Sequence, residues 1–219
     1  MHFLSHYYVD RHGYNPYLVL GALLPDISPG FTRTYNSVIR KNEWHLEGDV
    51  SEIHKGVLRH YDVDAQFHSS LYFRKACADA LKHMIDAGLD RDQYRLSFLA
   101  HIAVEVMLDR QLIAENDSLV SEYYKLLESI EIDTFSLYLS HVMPDEVREK
   151  TLGGFARFLE VKFLTYIDTV EGAAEGITRT GLKATGVRFT ETDREKLIVA
   201  LHNIGNELRY SWNKLLEIR

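Results

Sequence analysis

The chain has 219 residues, 46% of them hydrophobic, and a net charge of −7 with histidine counted neutral. That is enough apolar material for a sizeable core, and the negative balance disfavours a nucleic-acid binder, which should be basic. The single cysteine, Cys77, excludes an intrachain disulfide and a cysteine-rich zinc site, and a reducing cytoplasm is the expected setting.

No run of about 18 apolar residues occurs, so no membrane span is expected. The opening MHFLSHYYVDRHG lacks the basic start and long apolar centre of a signal peptide. Met1 to His12 reads as a short helix with Phe3, Leu4 and Tyr7 on its apolar side. Asn15-Pro16 reads as an N-cap followed by proline at the first helical position. The helix it opens, Tyr17 to Leu24, should end at Leu24-Pro25-Asp26. Asp26 then sits at a helix–loop junction. Ser28 to Asp49, with Pro29-Gly30, is expected to be loop with a short helical turn, and to form a lid or pocket rim.

Val50 to Phe73 is predicted helical, with Gly56 weakening its first turns. Lys75 to Ala87 is amphipathic and ends near Gly88. Asp90 to Ala114 should be a buried helix capped by Asp90 or Asp92, because LAHIAVEVMLDR is apolar nearly all round. Ser118 to Glu131 and Asp133 to Met143 are further helical segments. Pro144-Asp145 starts another, interrupted or kinked near Gly153-Gly154 and running towards Val170. Gly176 to Thr190, with Arg179, Lys183 and Arg188, reads as a mobile basic loop. Thr192-x-x-Glu195 is a capping box. It opens a last helix with the stripe Leu197, Leu201, Ile204, Leu208, Trp212 and Leu215, read as core packing. No alternating strand pattern stands out. The expectation is one all-α domain over residues 1–219, an HD-like helical bundle with a metal-site half at about 1–115 and a helical remainder at 116–219.

Two stretches carry chemistry. His60, Asp64 and His68 are spaced four and four, which stacks them on one helix face. His54 projects within about 40° of His68 at roughly 100° per residue. His101, Glu105 and Asp109 repeat the spacing on the apolar helix. Charged side chains there are costly unless compensated, and a divalent ion would compensate them. Histidine and carboxylate ligands without cysteine suit Mn, Fe or Zn, one or two ions. The same ligand mix with an open position serves hydrolytic sites. The plain alternative for each pair is an ordinary hydrogen-bonded couple, and Asp109 is also readable as half of an ion pair with Arg110 at the helix end. His12, His45, His83, His141 and His202 lack stripe partners. Lys55, Arg59 and Arg110 lie close to the stripes in sequence and are candidates for holding a phosphate.

At these residues the sequence resembles the acyl carrier protein phosphodiesterase family, a divergent branch of the HD-type metal-dependent phosphohydrolases. MHFLSH is similar to that family's Met-Asn-Phe-Leu-Ala-His start and matches His6. GALLPD is similar to its Gly-Asn-Leu-Leu-Ala-Asp segment and matches Asp26. HYDVD is similar to its His-Arg-x-Ile-Asp and matches His60 and Asp64, and the apolar helix corresponds through His101. The likeness covers roughly residues 1–110. It departs at Tyr61, where the family has Arg, at Phe67-His68, where it has Thr-Asp, and in lacking a contiguous His-Asp pair. His-x-x-x-Glu on a buried helix is also similar to zinc-dependent phospholipase C proteins.

The resemblance implies a metal-dependent phosphodiesterase acting on a phosphoester, with acyl carrier protein and its 4'-phosphopantetheine as candidate partner and product. The expected metal set is His6, Asp26, His60, Asp64, His68, His101 and Glu105. Asp64, His60 and His54 are the candidate catalytic groups. The competing expectation is a helical binding protein that has lost its chemistry, motivated by Tyr61 and His68.

Overall fold

The computed structural model describes residues 1–11, 15–28, 30–41 and 45–218. His12 and Pro29 lie outside them. The expected all-α class holds: among the described residues every regular element is a helix. In chain order these are α1 (Phe3–Asp10), α2 (Pro16–Ile27), α3 (Phe31–Arg40), α4 (Gly48–Ser69), α5 (Leu71–Asp86) and α6 (Leu96–Glu115). Then come α7 (Leu119–Glu128), α8 (Ile132–Val142), α9 (Asp145–Val161), a single 3-10 turn (Phe163–Thr165), α10 (Val170–Thr185), α11 (Glu191–Leu208) and α12 (Trp212–Leu215). No helix among the described residues is long and apolar enough to cross a membrane.

The chain sorts into two compact units whose segments alternate along the sequence. One comprises Met1–Ser5, Gln66–Leu119 and Leu164–Arg219; the other comprises His6–Ala65 and Val120–Phe163. The first is built around α6, which packs against α5, α10 and α11. Its core is aliphatic: Leu99, Ala103 and Val104 of α6 are wholly buried, as are Ile177 of α10 and Leu197 and Leu201 of α11. The stripe read as core packing is therefore core, with Trp212 half-buried on the separate α12.

The second unit is held by a close crossing of α2 and α4. A Cβ added to Gly21 would stand 2.0 Å from the Ile53 carbonyl oxygen, and one added to Gly56 would stand 2.1 Å from that of Leu18. Only hydrogen at both positions lets the two backbones approach this closely. Gly56, which weakens its helix locally, thus serves the packing. Leu20, Leu24, Ile53 and Val57 are buried beside it. The Ser28 and Thr151 hydroxyls, 3.1 Å apart and both buried, tie the end of α2 to α9.

Several local expectations change. Phe31–Arg40 is a ten-residue helix, with Phe31 and Ile39 buried on one side of it, where loop with only a short helical turn was expected. α2 runs through Pro25 to Ile27 before Ser28 N–H closes on Leu24 O. α6 begins at Leu96, not Asp90: the Asp90 carboxylate instead accepts the N–H groups of Asp92 and Gln93 in the turn before it. α9 is continuous through Gly153 and Gly154. Most of the segment expected as a mobile basic loop is α10, which buries Ile177 and Gly181 and ends at Gly186 in a left-handed conformation with φ 74°. The last long helix is capped two residues earlier than expected. Thr190 Oγ1 accepts the N–H of Asp193, and the Asp193 carboxylate accepts the Thr190 hydroxyl.

Candidate metal centre

Among the described residues, two groups of histidine and carboxylate residues converge closely enough to hold an ion, one in each unit. The residues expected to form one set divide between them. His6, Asp26 and His60 form the first, bordered by Asp64; His68, His101 and Glu105 form the second. α4 supplies both, because its four-and-four stripe runs on from His60 and Asp64 to His68.

In the first group, α4 places His60 and Asp64 one turn apart, α1 supplies His6 and the last turn of α2 supplies Asp26. His6 and His60 are 4% and 3% exposed, and their rings stack with centroids 4.1 Å apart. The Nδ1–H of His60 donates to the Ala22 carbonyl at 2.7 Å, which leaves the lone pair on Nε2. That Nε2 stands 3.5 Å from Asp64 Oδ2 and 4.0 Å from Asp26 Oδ1. The Nε2 of His6 is 3.3 Å from Asp64 Oδ1 yet makes no hydrogen bond, although it is buried. An orphaned buried nitrogen costs free energy unless something takes it up. Ligand atoms bonded at about 2.0–2.2 Å around a tetrahedral ion lie about 3.3–3.6 Å apart. The two separations to Asp64 fall in that range and the one to Asp26 lies just beyond it, so the donor set fits a divalent transition metal.

The electrostatics agree with the geometry. Burial, and then the neighbouring His60, push the His6 imidazole down to about 3, so it stays neutral. Burial opposes ionisation of Asp64, but the imidazoles of His6 and His60 outweigh it and hold the carboxyl well below its usual range. Burial likewise opposes protonation of His60, yet Asp26 and then Asp64 raise it above the ordinary value.

The second group has the same helical spacing and a different outcome. Glu105 Oε1 lies 2.9 Å from His68 Nε2 and 3.0 Å from His101 Nε2, and the amino nitrogen of Met1 lies 3.0 Å from it. The carboxylate is buried, while His68 and His101 are partly exposed, with Phe73 against both rings. Each of these three nitrogens meets the same carboxylate oxygen, so these polar atoms are already taken up by one another as the cluster stands.

Asp109 does something the spacing did not suggest. It is fully buried, and its carboxylate accepts the Leu4 N–H at 3.1 Å, the Ser5 N–H at 2.7 Å, the Ser5 hydroxyl and His2 Nδ1 at 2.7 Å. It therefore caps the first turn of α1 from a distant helix, replacing the expected partnership with Arg110. No local signal could have revealed a cap so far away in the sequence.

The other predicted residues stand apart from both clusters. The half-buried His54 ring packs against Tyr138, and burial lowers its basicity. Arg59 makes a bidentate pair with Asp10 at 2.7 and 2.8 Å, and Lys55 pairs with Glu52 at 2.6 Å. Arg110 lines a small pocket of the first unit with Gln111 and Arg209, its Nε buried without a hydrogen bond. His83 pairs with Glu207 at 2.9 Å. Comparison of the chain with protein-family models, curated proteins and solved structures found no match.

Proposed function

We propose that this protein is a metal-dependent phosphoester hydrolase whose ion is held by His6, Asp26, His60 and Asp64. The observation that carries this reading is the buried, orphaned Nε2 of His6, which faces a carboxylate that also meets the fixed Nε2 of His60. Three features of the same residues support a catalytic rather than a purely structural ion. Asp26 and Asp64 reach solvent, so the site is open on their side. The donors are nitrogen and oxygen without sulfur. These four, with His101 of the other cluster, are the positions that carry the resemblance to acyl carrier protein phosphodiesterases, which makes a phosphodiester the first substrate class to assay.

When bound, a divalent ion in such a site polarises a phosphoryl oxygen and supplies a nucleophile at neutral pH. The chain's own part is positional and acid–base. Ala22 O fixes the tautomer of His60. Burial keeps His6 neutral and available as a donor. Asp64, held ionised, offers one oxygen towards each imidazole. Asp26, an exposed residue at the end of α2, would hold the ion from the solvent side of the site.

The test is elemental analysis of untagged, chelator-free protein, followed by a bis-p-nitrophenyl phosphate assay with added Mn. About one ion per chain together with turnover is the expected result. Neither metal nor turnover after reconstitution overturns the reading and leaves a helical binding protein in its place.

A further inference from the structure

The first unit has a small polar pocket, of about 80 Å³, where α6 and α11 meet the start of α10. Met107 and Leu201, both buried, line its apolar side. The polar lining includes Arg110 of α6, His202 and Asn206 of α11, and Arg209 just past the end of α11. Sites for whole small molecules begin at about 300 Å³, so this space suits a small ion or a single end group. No residue of either His/carboxylate cluster lines it.

Its charge is uncompensated. Neither the Arg110 nor the Arg209 guanidinium makes an ion pair or a hydrogen bond among the described residues. Arg110 is half-buried, and its Nε is wholly enclosed without a hydrogen bond. A buried donor left unmet costs free energy unless a ligand takes it up. No carboxylate lines the pocket. That of Glu115, beyond it, accepts the Gln111 amide at 2.8 Å. Val170, the first residue of α10, and the last turn of α11 both border the space. Their opposed helix-end charges offset, so the two guanidinium groups set its sign. Arginine presents parallel N–H donors that match the oxygens of a phosphate or a carboxylate. Two unmatched cations call for two negative charges, which a phosphate carries and a carboxylate does not.

We propose that this pocket binds a phosphate dianion between Arg110 and Arg209, free or as the end group of a small phosphorylated molecule, with the exposed His202 and Asn206 at its open side. The site shares no residue with the proposed metal centre, so either assignment can fail alone.

Calorimetric titration with inorganic phosphate, glycerol phosphate and acetate tests it, at low salt and about pH 8, where phosphate is a dianion. Inorganic phosphate should bind saturably, and acetate more weakly. Arg110→Gln and Arg209→Gln should each weaken phosphate about tenfold or more, the worth of one hydrogen bond to a charged group. Arg209 is exposed, so its replacement leaves the fold intact, and unchanged circular dichroism checks both variants. Arg188→Gln removes an exposed charge of the same unit outside the pocket and should leave binding unchanged. So should His6→Ala, which removes a ligand of the proposed metal centre. Tighter binding of glycerol phosphate than of inorganic phosphate assigns the end group of a larger molecule, and the reverse assigns the free ion. Absence of saturable phosphate binding to the wild-type protein overturns the proposal. So does binding that survives both arginine variants, binding that is lost in His6→Ala, or equal affinity for acetate.

Discussion

The two His/carboxylate clusters share a spacing and differ in what their polar atoms do. His60 and Asp64 are four apart on α4, and His101 and Glu105 are four apart on α6. Around Glu105, each nitrogen lies within 3.0 Å of one carboxylate oxygen. Around Asp64, a fully buried imidazole nitrogen is left without a hydrogen bond, and the other imidazole is fixed from behind by a backbone carbonyl. Helical spacing brings ligands together in both cases. Only the accounting of donors and acceptors separates a cluster whose nitrogens are all met from one that could still take up an ion.

The largest expected effect breaks or confirms that distinction directly. His6→Ala should lose the bound ion and reduce phosphodiesterase turnover by more than about a hundredfold, while His101→Ala should keep the ion. Equal metal loss in both variants, read by elemental analysis, would return the seven residues to the single set expected from the sequence.

Next in size is a test of the helix crossing that supports the first cluster. Gly21→Ala places a methyl group 2.0 Å from the Ile53 carbonyl, so α2 and α4 must separate. A loss of about 1–3 kcal/mol in denaturant unfolding is expected, with weaker metal binding because Asp26 rides on α2 and His60 on α4. Gly153→Ala, where nothing lies within 4 Å of the added carbon, should instead be neutral or gain up to about 1 kcal/mol.

Glu105→Gln sharpens the comparison from the other side. It should cost about 1–3 kcal/mol, since it removes the charge that His68 and His101 share, without changing the metal content.

The smallest effect concerns a control site away from both clusters. Lys196, Thr190 and Tyr94 hold the Asp193 carboxyl down, from 3.8 to about 2. A depressed acid stabilises the fold above its unfolded value and loses that contribution as pH falls towards the folded one. The stability gap between wild type and Asp193→Asn should therefore be full at neutral pH and close between pH 3.8 and about 2.

Much of the helical architecture was legible because its signals are local. The Asn15-Pro16 start, the α6 run of apolar residues and the Leu197–Leu208 stripe each report what lies within a turn or two. Predicted boundaries drifted where burial competed with local composition. Gly176 and Gly181 looked like loop residues, but α10 packs on α6 and α11, and a Cβ at Gly181 would stand 3.2 Å from Leu99. Phe31 and Ile39 likewise sit eight residues apart in a polar segment and are both buried.

The candidate site divides the same way. His60/Asp64 and His101/Glu105 were visible because an α-helix repeats every 3.6 residues, so spacing alone stacks the groups. What the sequence determined was therefore the helical class and the pairs within each helix. The tertiary structure decided which pairs meet which partners. It joined His6 and Asp26 to His60, closed Glu105 with hydrogen bonds, and turned Asp109 from an expected helix-end ion pair into the cap of α1, more than a hundred residues away. Those outcomes depend on packing between elements distant in the chain, and no local periodicity encodes them.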